Sequence, residues 1–218
     1  MKKLILLVVA MMTMIQGEAQ SSDKAAALLE EVSSIVESYD NILIDFKYEQ
    51  ENLSRNMKHE TRGDVSLKGD KYLLNIMGTT RIFDGKKLYT IVPENEEITI
   101  STHNPEDEAN ISPSKMLTFY KNGYKAEMDK IQDLKGRKIQ YVKLTPTDPK
   151  AEVSSILLGI DKQTNHIYNV IQVQEDLRNG KTTITIKVNS FKTNQPIPES
   201  LFEFKKDRYQ DYYINRLD

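Results

Sequence analysis

Two hydrophobic periods divide the chain. From Asp23 to Tyr39 the apolar positions Leu28, Leu29, Val32, Ile35, Val36 and Tyr39 recur at spacings of one, three and four residues. Such spacing puts them on one stripe of a helix. Ser22 or Asp23 can accept the first-turn amide hydrogens as its cap, and Asp40-Asn41 ends the pattern. Beyond residue 41 the period becomes two. Ile42, Ile44, Phe46 and Tyr48 alternate with Leu43, Asp45, Lys47 and Glu49, the signature of a half-buried strand.

Further strands are predicted at Val65 and Leu67, then over 72–77, 81–83, 87–92, 97–100, 124–128, 138–144, 153–160, 166–173 and 181–188. Asp84-Gly85 between two apolar runs marks a hairpin, and Pro93-Glu94-Asn95 the next turn. Ser112-Pro113-Ser114 caps a second, short helix carrying Met116, Leu117, Phe119 and Tyr120, which ends at Asn122-Gly123. The expectation is a mainly β (α+β) domain: an unclosed antiparallel β-barrel of about eleven strands, its concave apolar face covered by helices. A sheet this wide curls around a space that side chains alone do not fill.

If alternation holds, Ile44, Phe46, Tyr48, Val65, Leu67, Tyr72, Leu74, Ile76, Ile98 and Ile100 line that face. Ile156, Leu158, Ile184, Ile186 and Val188 join them from the later strands. Leu28 and Val32 on the first helix, with Met116, Leu117 and Phe119 on the second, complete the candidate binding surface.

The extreme N-terminus follows neither period. Lys2 and Lys3 precede an apolar run over 4–15, and then comes Gly17-Glu18-Ala19. A basic start, a short apolar run and a small-x-small site read as a cleavable secretory signal peptide over 1–19, leaving a single domain over 20–218. The run is too short to span a bilayer, which needs about 20 apolar residues.

Composition then removes several chemistries. The 218 residues contain no Cys, which excludes disulfides, thiolate metal sites, a thiol nucleophile and a lipidated cysteine. With 30 Lys+Arg against 32 Asp+Glu, the net charge of -2 gives no basic field for nucleic acid. His59, His103 and His166 have no metal-ligand spacing and are expected to be exposed strand or loop residues. Glu94, Glu96 and Glu97 sit at a turn, where solvated charge is the default. No G-x-S-x-G elbow is present, and Gly78, Gly123 and Gly159 make no phosphate loop. The expectation is a binding protein with no cofactor, no metal and no catalytic residues.

The order of elements resembles the outer-membrane lipoprotein carrier (LolA-like) family. The resemblance rests on the helix with Leu28-Leu29, the strand Ile44-Asp45-Phe46-Lys47-Tyr48-Glu49-Gln50, and Gly63-Asp64-Val65-Ser66-Leu67-Lys68. It continues through Tyr72-Leu73-Leu74, Phe83-Asp84-Gly85-Lys86-Lys87-Leu88-Tyr89 and Pro93-Glu94-Asn95-Glu96-Glu97-Ile98. Ser112-Pro113 with Leu117, Glu175-Asp176 with Asn179-Gly180, and Phe202-Glu203-Phe204 extend it.

The resemblance implies a periplasmic, monomeric carrier whose cavity shields lipoprotein acyl chains. In that family cargo comes from an inner-membrane lipoprotein-releasing ABC transporter; the outer-membrane acceptor stays unspecified. Family members hold the lid closed with an arginine after a strand-ending lysine. Here Lys68 is followed by Gly69-Asp70, which leaves Arg62 or Arg81 as substitutes. The alternatives are a same-fold binding protein for another apolar cargo, such as a lipid or pigment precursor, or a lipoprotein sensor.

Overall fold

A computed structural model describes residues 21–102, 117–176 and 180–217. Helix α1 occupies 21–37. Residues 21–23 are already helical, so neither Ser22 nor Asp23 is the cap. Instead, the Ser21 hydroxyl accepts from the Met128 amide at 3.1 Å and ties the helix to the sheet. Ala25, Leu29, Val32 and Val36, spaced four, three and four apart, form the buried stripe. Each large apolar side chain buried in this way contributes roughly 1.5–3 kcal/mol.

Twelve strands follow. They are β1 (Ile42–Asn52), β2 (Met57–Lys68), β3 (Lys71–Ile76), β4 (Thr79–Phe83), β5 (Lys87–Val92) and β6 (Glu97–Thr102). After residues 103–116 come β7 (Tyr124–Leu134), β8 (Arg137–Pro146), β9 (Val153–Asp161), β10 (Ile167–Asp176), β11 (Gly180–Thr193) and β12 (Tyr213–Leu217). They make one sheet in the order β12-β6-β5-β4-β3-β2-β1-β11-β10-β9-β8-β7. Two meanders, β1 to β6 and β7 to β11, are thus joined along the antiparallel β1–β11 pair, and among the described residues β12 and β7 are the edges.

The strands expected from alternation are present; β12 was not expected. It pairs parallel with β6, Tyr213 opposite Glu97 and Ile214 opposite Ile98. At the β4–β5 turn Gly85 has φ 98, and the Asp84 Oδ1 accepts from the amides of Lys86 and Lys87, both at 2.8 Å. Ser112 to Met116 of the expected second helix lie outside the described residues. Phe119–Lys121 forms a 3-10 turn.

Both faces of the sheet carry apolar clusters. The inner face meets α1. Val142, Leu144, Ile156, Leu158, Ile160 and Ile167 pack with Ala25, Leu29, Val32 and Tyr120. Beside them Ile42, Ile44, Phe46, Val65, Leu67, Tyr72, Phe83 and Leu88 gather around Val36. On the outer face Ile82, Ile91 and Ile98 are covered by Phe204, Tyr209, Tyr212 and Ile214 from the chain after β11. Here the expectation for Ile98 is corrected. It pairs with Ile91 across β5 and β6, is fully buried, and faces away from the helix. Ile100, also expected on the inner face, packs against the same outer cluster. A second outer cluster of Ile139, Tyr141 and Tyr168 lies on β8 and β10.

Candidate functional site: an apolar cavity on the inner face of the sheet

Alternation on β1, β2, β3 and β11 points a run of aliphatic and aromatic side chains at the space beside α1. There they enclose a cavity of about 370 Å³. Ile44, Phe46, Tyr48, Val65, Leu74, Ile76, Leu117, Phe119, Ile156, Ile186 and Val188 line it, eleven of the positions anticipated from sequence. Leu67 and Tyr72 lie on the same face but in the packed cluster around Val36. Leu67 also borders a neighbouring hollow of about 280 Å³ that shares Leu117 with the main cavity. Val32 and Leu158 are sealed in the interface of helix and sheet, and Leu28 packs at its margin. Ile184 precedes Ile186 on the same strand face but stands outside the lining, opposite Gln50 and Gln172. Met116 lies outside the described residues.

The lining also includes Tyr124, Ile167, Val170, Gln172 and Phe191. Strict alternation misreads β10 because the register shifts between Ile167 and Asn169. That bulge lets Ile167 and Val170, three residues apart, face the same side. A second shift between Asp45 and Phe46 on β1 turns both Val188 and Phe191 inward.

The chemistry of the lining is hydrophobic. Among the described residues Gln172 is its one carboxamide, and Tyr48 and Tyr124 its two phenols. Burial pushes both phenols above the ordinary tyrosine value. This lining carries no charged group among the described residues. It rewards occupation by hydrocarbon, at about 0.8 kcal/mol per methylene removed from water.

Polar contacts fasten the helix beside this space to the sheet and to the segment that closes it. The Ser33 hydroxyl donates to the Tyr120 phenol at 3.1 Å, with both side chains buried. Asn165 donates to Glu31 at 2.7 Å, and Lys121 to Glu37 at 2.6 Å, at exposed positions. Past the end of α1, the Tyr39 hydroxyl is 2.9 Å from the His166 Nε2. The imidazole stacks on the cavity residue Phe191 with ring centroids 4.1 Å apart. His166 is therefore half-buried rather than exposed, and burial holds its pKa below the ordinary value. Arg62 and Arg81 are both exposed.

An open sheet with a helix packed on its inner face, and an apolar hollow on that face closed by Leu117 and Phe119, defines a half-barrel fold. The chain belongs to the family described as outer membrane lipoprotein carrier protein LolA, whose model matches residues 15–177. No curated protein sequence matches it. Among solved structures, an uncharacterized conserved protein from Thermus thermophilus is similar over 86% of this chain and 98% of its own, at 11% identity and a TM-score of 0.56. A LolA superfamily protein from Nitrosomonas europaea is similar at 12% identity over 83% of this chain and 97% of its own, TM-score 0.42. Mycobacterium tuberculosis lipoprotein LppX is similar at 13% identity over 79% of this chain and 98% of its own, TM-score 0.47. The Thermus likeness, at that identity, concerns the fold.

Proposed function

We propose that this protein is a periplasmic carrier of lipoproteins, sheltering their acyl chains in the cavity during transit from the inner to the outer membrane. The carrying observation is the cavity itself: about 370 Å³ bounded by aliphatic and aromatic side chains of the sheet together with Leu117 and Phe119. Residues 1–19 act as the signal peptide that exports the chain, and residues 20–218 work as a monomer. Cargo arrives from an inner-membrane lipoprotein-releasing ABC transporter. Entry requires α1 and the 117–121 segment to part, so the Ser33–Tyr120 and Tyr39–His166 contacts take over the lid-holding that an arginine performs in other carriers.

Photo-crosslinking amino acids at Phe46 and Phe119, introduced in cells, test this reading. Capture of triacylated lipoprotein, well above the labelling from Lys47 on the opposite strand face, is the expected result. Capture of free lipid or pigment, or labelling no better than at Lys47, would refute it.

A further inference from the structure

We propose that the cross-strand pair of Gly63 and Phe46 sets the length of acyl chain that the cavity accepts. The inference rests on the apolar-cargo reading above and names the residues that tune it. Gly63 on β2 sits directly opposite Phe46 on β1 and, on its other side, opposite Ile76 on β3. Both partners line the cavity, and Gly63 lies between them on the strand that separates theirs. A Cβ added at Gly63 would stand 2.6 Å from Cζ and 2.9 Å from Cε2 of the Phe46 ring. The ring therefore lies across the place where a side chain at 63 would be.

Backbone conformation does not ask for glycine here, because Gly63 is absent from the positive-φ positions. A glycine inside a strand weakens it, and what the residue gives in return is room for the ring. Any side chain at 63 must lift the ring from the sheet. Ile44 and Tyr48 flank Phe46 along β1, and Val188 stands opposite it on β11. With those directions filled, the remaining way out is upward into the cavity. Laid flat, Phe46 keeps the cavity deep; raised, it shortens it.

The test measures binding of saturated fatty acids, from about eight to about twenty carbons, to the purified protein by displacement of a fluorescent probe. Wild-type affinity is expected to rise about fourfold per methylene, the equivalent of about 0.8 kcal/mol, and then to level off once the cavity is full. Gly63→Ala should move the levelling-off point at least two carbons shorter. Short probes then bind unchanged, while the longest bind roughly 15-fold more weakly. Phe46→Leu should move the point to longer chains, and the double variant should recover at least the wild-type reach. Uniform weakening at every length marks a merely structural glycine and overturns the proposal, as does a levelling-off point that stays put in both single variants.

The same added Cβ also approaches the Asn75 carbonyl at 2.8 Å, so Gly63→Ala carries a stability cost of its own. If that variant does not fold, Phe46→Leu decides alone, and an unmoved point overturns the proposal. A wild-type protein that binds no fatty acid of any length refutes the apolar-cargo reading itself. Binding with an unmoved point refutes only the role of the pair.

Discussion

Replacing Gly159 by alanine should be among the most damaging single-methyl additions available in this protein. On β9 the added Cβ would fall 2.0 Å from the Asn169 Oδ1 and 3.0 Å from both Ile139 Cγ2 and Tyr141 Cε1. All three neighbours are buried, so none can swing into solvent. Asn169 must move, and its Nδ2 then loses the hydrogen bond to the Tyr141 hydroxyl, now 3.2 Å. Overpacking in a filled site costs about 1–3 kcal/mol, and a lost buried hydrogen bond about 1 kcal/mol more. The sum is roughly 2–4 kcal/mol, a fall of about 5–15 °C in melting midpoint for a domain of this size. Circular dichroism melts of the wild type, Gly159→Ala, Asn169→Ala and the double variant measure it. Because Asn169 Oδ1 has no hydrogen-bond partner among the described residues, its removal relieves the collision at small further cost. The two changes should therefore couple by at least about 1 kcal/mol. A single variant melting within about 2 °C of wild type, or strictly additive losses, would show the reasoning to be wrong.

Tyr120→Phe should destabilise by about 1–2 kcal/mol, since it leaves the fully buried Ser33 hydroxyl without its partner. Adding Ser33→Ala should restore part of the loss in a urea titration, and no restoration would remove the pair from the list of helix fastenings. Arg137→Ala leaves the buried Asp161 carboxylate without the guanidinium whose Nε donates to it at 2.6 Å. We expect a loss of roughly 1.5–3 kcal/mol in the same assay. His166 gives a pH dependence whose sign is fixed: its folded-state pKa is depressed by burial, with Asp161 opposing and Arg137 reinforcing the shift. The unfolded chain therefore takes up the proton first. Stability should fall as pH drops through about 6.5 and level off below the folded value. His166→Gln should flatten that step, and an unchanged profile would count against the assignment.

The helix and most strands were legible because each buries one face, and a buried face writes its period into the sequence. The stripe through Leu29, Val32 and Val36 and the alternation of Ile44, Phe46 and Tyr48 are read directly and lie where expected. Ile98 shows where that logic stops. Alternation separates two faces without saying which is inner, and after β11 the chain folds back to cover the outer one. Its aromatics, Phe204, Tyr209 and Tyr212, follow no regular period because they cap a sheet without belonging to it. The short β12 was hidden for a related reason. Tyr213 and Leu217 are exposed, which leaves almost no alternation to read. Phe191 and Val170 were missed through bulges, which shift parity by one residue and leave no mark in composition.

The seam between the two meanders has a consequence for how the chain reaches its fold. Strand β1 is flanked by β2, its immediate successor, and by β11, which the ribosome makes last but one. The clasp at the start of the seam, Asn41 with Gln195, joins residues 154 positions apart. Until β11 arrives, β1 presents one long unpaired edge and an uncovered apolar face. Such edges invite pairing with other chains, and closure over so long a loop is slow. The proposed export suits this topology, because a chain kept unfolded until translocation is complete never displays that edge in a half-built sheet.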